Sequence, residues 1–225
     1  MPHRYHARVL AGRVVLVTGG ATGIGRAIAL GLGDAGATTI VTDAPISSRA
    51  DADRAFAEAV EPNGRIDAFV HALIDPAALV AAPLADIDVP SWEGRCEAVL
   101  RTALWCCQAA HDALRQRGGR IVFVTPTLGL TGAAGLVPYA TAIEGMRALA
   151  KTAARQWGGE GIAVNCVAPP VELVGAASGP DVAVPALGRL PDARTDVAPV
   201  VATLVGAAFV TGTTVVVDGG MVMAP

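Results

Sequence analysis

Thr18-Gly19-Gly20-Ala21-Thr22-Gly23-Ile24-Gly25 follows the β-branched run Val14-Val15-Leu16-Val17 and leads into a helical pattern carried by Ala27, Ile28, Leu30 and Leu32. Few architectures place glycines at this spacing between a strand and a helix. The glycines allow a tight turn and let a ligand approach the backbone, and the helix start offers unpaired N–H groups and the positive end of a dipole. A diphosphate is the natural guest of such a turn, held by Gly19, Gly23, Ile24 and Gly25. The alternative is a turn kept for helix–strand packing alone. Asp43 ends the next apolar run and is placed to accept hydrogen bonds from a ribose while repelling a 2′-phosphate, which favours NAD over NADP. The competing reading of Asp43 is a solvated carboxylate at a strand end.

The remaining pattern alternates. Residues 26–36, 52–60, 91–117, 139–157 and 196–207 read as helices, and residues 38–42, 66–72, 121–125, 162–168 and 213–218 as strands. Uninterrupted apolar strands between helices predict an α/β fold, a doubly wound parallel sheet of Rossmann type with helices on both faces. No repeat or linker divides residues 1–225, so one domain is expected.

Composition narrows the partners. Hydrophobic residues make up 52% and charged residues 16%, well outside the disordered regime. The formal net charge is −3 without a basic block, which argues against nucleic acid. Cys96, Cys106, Cys107 and Cys166 form no C-x-x-C pair and have no His at ligand spacing. No metal is expected, and the thiols read as buried and reduced in a cytoplasmic protein. The polar start over residues 1–8 does not read as a secretory signal. Residues 121–143 and 197–217 are uncharged enough to raise a membrane question. Pro, Gly and Thr interrupt both, and buried strands with their connections explain them better.

Together these motifs resemble the short-chain dehydrogenase/reductase family. The turn at 18–25 looks like its fingerprint. Gly64-Arg65-Ile66-Asp67, Trp92, Gly119-Arg120-Ile121-Val122, Val164-Asn165-Cys166-Val167-Ala168-Pro169, Leu187-Gly188-Arg189-Leu190 and Val217-Asp218-Gly219-Gly220 follow in the family's order. The resemblance runs from about residue 10 to 222. It implies NAD(P)-dependent hydride transfer. A Tyr moves the proton, a Lys lowers that Tyr's pKa, a Ser polarises the substrate oxygen, and an Asn orders a relay water.

Laid onto this chain, the Tyr is Tyr139, but the Lys position four residues later is Ile143. The Ser position is Pro126, flanked by Thr125 and Thr127, and the Asn position is Val99. Three of these four side chains can neither donate, accept nor hold charge. An unassisted Tyr, with a pKa near 10, is a poor base at neutral pH. The family's Asn-Asn-Ala-Gly appears as His71-Ala72-Leu73-Ile74, so Ile74 stands where a Gly admits the cofactor. His71 is either a replacement base or a structural substitute. Pro169-Pro170 replaces Pro-Gly, and the Thr that would hold the carboxamide is absent. The 27 residues between Asp43 and His71 are too few for the family's third strand and its helix, which read as deleted. The substrate loop before Leu187 reads as shortened.

The resemblance therefore implies a catalytically silent subunit. Such a chain would assemble with an active homologue that binds NAD or NADP, through the two long helices and the last strand. The apolar face of the first long helix (Ala98, Val99, Ala103, Leu104, Trp105, Ala109, Ala110) serves either that assembly or plain core packing. The chain resembles the shortened partners in paired dehydrogenases of aminocoumarin antibiotic pathways, which oxidise a carrier-protein-bound β-hydroxytyrosyl thioester to the β-keto form. Two other readings stand beside it: an isomerase or lyase using His71 or Tyr139, and a dinucleotide-binding sensor without chemistry.

Overall fold

Strand β1 (Val14–Thr18) is buried along its whole length and pairs in parallel on both sides, with β2 (Thr38–Thr42) and with β3 (Ala68–His71). The computed structural model describes residues 9–175 and 184–223. β4 (Gly119–Val124), β5 (Ile162–Ala168) and β6 (Thr214–Val216) complete a parallel sheet in the order β2-β1-β3-β4-β5-β6. This is the Rossmann-type fold expected, with helices on both faces.

The order dictates where the helices lie. α1 (Gly23–Asp34) carries the chain outward from β1 to β2, and α2 (Arg49–Val60) brings it back across β1 to β3. Right-handed crossovers in opposite directions must use opposite faces. Accordingly Val15 and Val17 pack with Ile24, Ile28 and Leu32 of α1. Val14 and Leu16 point the other way, into a cluster with Phe56 of α2. The period of two along β1 thus feeds two cores. α4 (Ala98–Leu114) and α6 (Val137–Trp157) join the α2 face, and α7 (Ala198–Gly206) covers the α1 face.

A single helix lies between β2 and β3, so one strand–helix unit is missing there and β2 forms the sheet edge. Other elements depart from the sequence reading. The helix expected over 91–117 is divided: α3 (Val89–Trp92), capped by the Asp88 carboxylate, passes through a wide π-type turn at Glu93–Glu97 before α4 begins. A similar turn, Ala193–Val197, precedes α7, whose second residue is Pro199. The strand expected over 66–72 is shorter, Ala68–His71, although the Asp67 N–H still donates to the Val14 carbonyl (2.8 Å) and its side chain accepts from the Val14 N–H (2.8 Å). A short helix, α5 (Leu128–Thr131), was not anticipated. Half of the loop between Pro170 and Leu187, expected to be shortened, lies outside the described residues. Among the described residues no helix is long and apolar enough to cross a membrane, and no group of three or more His, Cys, Asp or Glu could hold a metal.

Candidate nucleotide cleft and catalytic positions

The strand order reverses between β1 and β3, and a crevice opens at their C-terminal ends, the usual ligand position in such sheets. The glycine turn forms one wall. Gly19 has φ +69°, and a Cβ there would sit 2.6 Å from the Ala72 carbonyl oxygen. A Cβ on Gly25 would overlap the Gly19 carbonyl. These two glycines are therefore required by the packing of the turn itself. Thr22 precedes α1 without a side-chain cap, which leaves first-turn N–H groups facing the crevice. Asp43 lies across the turn, and its carboxylate accepts from the Ala21 N–H at 3.1 and 3.2 Å. The resulting cleft has a volume of about 500 Å³ and includes Ile74, Glu172 and Leu173. Glu172 and Leu173 belong to a 3-10 turn after β5 that carries no recognisable motif, so sequence reasoning had no signal for them.

The catalytic positions do not open into this cleft. Tyr139, in the first turn of α6, is 1% exposed, and its hydroxyl is buried without a hydrogen-bond partner among the described residues. Burial, with a smaller contribution from Asp75, pushes its pKa above the ordinary phenol value. Ile143, one turn further on, is also 1% exposed and belongs to the same apolar cluster as Tyr139, Met146 and Phe123. The chain's single lysine, Lys151, lies eight residues beyond Ile143, about 12 Å along the helix, and is exposed. Pro126 is buried. Its neighbours are committed to structure: the Thr125 hydroxyl donates to the Val167 carbonyl (3.4 Å), and the Thr127 N–H donates to that of Pro169 (2.9 Å). Val99 is half-buried on α4.

His71 is 2% exposed, and its Nδ1 is 3.1 Å from the Thr18 hydroxyl on the paired strand. The ring packs against Phe69 and edge-on to Phe123. Burial lowers its pKa to about 4, so the imidazole is neutral at pH 7 and a weak base. Of the two roles left open by the sequence, the geometry corresponds to the structural one. On α4, Ala103, Ala109 and Ala110 are core residues, whereas Ala98, Val99 and Trp105 are half-buried and Leu104 is exposed. The apolar face read as an assembly surface is therefore partly core.

Against known proteins, the family described as enoyl-(acyl carrier protein) reductase matches residues 44–222. A 3-oxoacyl-[acyl-carrier-protein] reductase of Synechocystis is 30% identical over 244 residues, covering 95% of this chain and 98% of the relative. This chain belongs to the short-chain dehydrogenase/reductase family. The reductase FabG of Staphylococcus aureus is 31% identical, with 92% and 97% of the two chains covered. A dehydrogenase/reductase from Sinorhizobium meliloti superposes with a TM-score of 0.84 at 26% identity, over 96% of this chain and 98% of the other.

The nicotinamide dinucleotide used by short-chain dehydrogenases can be tested against these residues. The residues that would hold its diphosphate and adjoining ribose fit, because the turn, the α1 N-terminus and Asp43 are in place. The nicotinamide half does not. No ammonium stands at position 143, the Tyr139 hydroxyl is sealed in the core, and the side chain of Ile74 lines the cleft where the family has a Gly.

Proposed function

We propose that this chain is a non-catalytic member of the short-chain dehydrogenase/reductase family that assembles with an active homologue. In that complex the partner binds NAD or NADP and carries out the oxidation or reduction. One observation carries this reading: Tyr139 and Ile143 lie side by side in a closed apolar core, where neither a phenolate nor an ammonium can be sustained. Losing one transition-state donor costs on the order of a hundred- to a thousandfold in rate, and here the Ser, Lys and Asn positions are all aliphatic or proline. The fold, by contrast, is complete enough to present α4, α6 and β6 to a partner.

Three relatives support the extension to substrate and assembly. The Synechocystis and Staphylococcus aureus proteins are named as reductases of acyl groups on a carrier protein. A relative from Thauera aromatica, 29% identical over 182 residues, is named as a subunit of a succinyl-CoA-type dehydrogenase, (2S)-[(R)-hydroxy(phenyl)methyl]succinyl-CoA dehydrogenase. We extend the reading to a carrier-protein-bound β-hydroxyacyl thioester, β-hydroxytyrosyl in antibiotic biosynthesis, oxidised by a cytoplasmic heterotetramer. No observation favours an isomerase or lyase built on His71 or Tyr139.

The test is co-expression with a full-length homologue that keeps Ser, Tyr and Lys. Co-elution on size exclusion and a higher rate than the homologue alone are expected. An unchanged rate without co-elution would remove this reading, as would dehydrogenase turnover by the purified chain alone.

A further inference from the structure

One side of α6 carries a line of cations. Arg147, Lys151 and Arg155 recur every four residues, about 6 Å apart along the helix axis. Glu144 pairs with Arg147 at one end of the line (2.6 Å). Lys151 and Arg155 are exposed and make no ion pair among the described residues. The line runs beside β6. Arg147 Nε donates to the Thr214 hydroxyl (3.2 Å), and a Cβ on Gly212 would lie 3.7 Å from that of Ala154, the neighbour of Arg155. β6 ends the sheet, and its outer edge pairs with no strand among the described residues. Such an edge is a template for association unless something covers it.

The loop entering β6 adds an anchor. Phe209 is fully exposed (103%), with Ala208 and Val210 exposed on either side. The loop itself is pinned. Arg120 Nε donates to the Ala207 carbonyl (2.7 Å), and the buried Asn165 donates to the Val210 carbonyl (2.8 Å) while accepting from the Thr213 N–H (3.2 Å). The Thr211 hydroxyl accepts from the Val164 N–H (3.0 Å). An aromatic ring without packing, on a loop held from both sides, has apolar area to bury and little backbone freedom left to lose on docking.

We infer that the cationic side of α6, the outer edge of β6 and the Phe209 loop form one docking surface, whose occupant is a homologous chain with an acidic α6 rather than a second copy of this one. The inference rests on the proposed pairing with a homologue and adds what selects that partner. A chain of the same fold presents a helix, a strand edge and a loop in matching order. A second copy would meet this surface about a two-fold axis, which sets each patch against itself. Arg147, Lys151 and Arg155 of one copy would then face the same residues of the other, and like charges across an interface exclude a partner that fits in shape. Acidic residues on the facing helix turn the same contact into attraction.

The probe is the chain itself with its charge reversed. Unaltered chain is mixed one-to-one with Lys151→Glu/Arg155→Glu at low salt, and native mass spectrometry counts mixed and self-paired dimers. Mixed dimers should exceed either self-pair at least tenfold, fall at least tenfold in 0.5 M salt, and fall as much with Phe209→Asp in both chains. Lys151→Gln/Arg155→Gln, which removes charge without reversing it, should show no such preference, and circular dichroism checks that every variant is folded. Mixing without preference overturns the inference, as do self-dimers of the unaltered chain that Phe209→Asp dissociates. The co-expressed full-length homologue separates this result from the pairing itself. Its co-elution should drop at least tenfold with Lys151→Glu/Arg155→Glu. Co-elution equal for the chain and the double variant overturns this surface and leaves the pairing standing, whereas no co-elution beside a clear mixed-dimer preference removes the pairing and leaves the charge selection standing.

Discussion

Replacing Ile143 by Lys restores on paper the residue an active family member needs, and the structure says what it would cost. Ile143 is 1% exposed in the core shared by Tyr139, Met146 and Phe123. There is no slack around it: a Cβ added at Gly129 would lie 2.8 Å from Ile143 Cγ2. A lysine here must lose its proton or bury an unpaired charge. The unfolded chain holds that proton with a pKa of about 10.4, so discarding it at pH 7 costs about 1.4 kcal/mol for each of about 3.4 pH units, roughly 4–5 kcal/mol in all. That is a large share of the roughly 5–15 kcal/mol that keeps a domain folded. The sign with pH is fixed. The unfolded state binds more protons, so the variant gains stability as pH rises from 7 towards 10. Urea unfolding followed by far-UV circular dichroism at pH 7, 8.5 and 10 reads this directly. The midpoint gap from the parent chain should be widest at pH 7 and shrink with pH. A variant as stable as the parent at pH 7, or a gap unaffected by pH, would mean that position 143 faces solvent. The reasoning that separates this chain from active dehydrogenases would then fail.

Three further outcomes can be measured. His71 has a folded pKa of about 4 against about 6.5 unfolded, so the stability it contributes is present above pH 6.5 and lost as pH falls towards 4; at pH 5 the loss is about 2 kcal/mol, and His71→Phe should flatten the dependence of the urea midpoint between pH 5 and 7. Tyr139→Phe removes a buried hydroxyl that has no partner among the described residues and should leave stability unchanged or raise it by up to about 1–3 kcal/mol, with unchanged activity of the assembled complex. A loss of rate with intact assembly would instead assign Tyr139 a proton-transfer role. Gly25→Ala drives a Cβ into the Gly19 carbonyl and should lower the thermal midpoint by the equivalent of more than about 2 kcal/mol. Gly23→Ala, at φ +53° with open space around its Cβ, should cost only about 1 kcal/mol, and equal losses at the two sites would show that the turn is not packed as described.

Much of the fold could be read because its signals are local. The strand–turn–helix from Val14 to Asp34 rests on β-branched residues, glycines and a helical stripe, all adjacent in sequence. The missing strand–helix unit was visible as a short interval between Asp43 and His71, and only α2 fills it. Boundaries were less legible. The π-type turn at Glu93–Glu97 contains Gly94 and the one at Ala193–Val197 lies two residues before Pro199, but neither residue by itself announces a wider turn. The strand pattern read from 66 begins only at Ala68, next to Asp67, whose side chain accepts from the Val14 N–H 53 residues away.

The residue types at positions 99, 126, 139 and 143 were fixed by the sequence alone, and with them the loss of an ammonium and a polarising hydroxyl. Which way Tyr139 points was not. At the start of a helix it could face either an open cleft or the sheet, and only the packing of α6 against β4 and β5 turned its hydroxyl into a dry core. The same holds for His71: its neutrality depends on being buried beside Thr18, Phe69 and Phe123, residues brought together by strand register. Side-chain chemistry is carried by single residues. Solvation, which decides whether that chemistry can run, is set by neighbours the chain gathers from far apart.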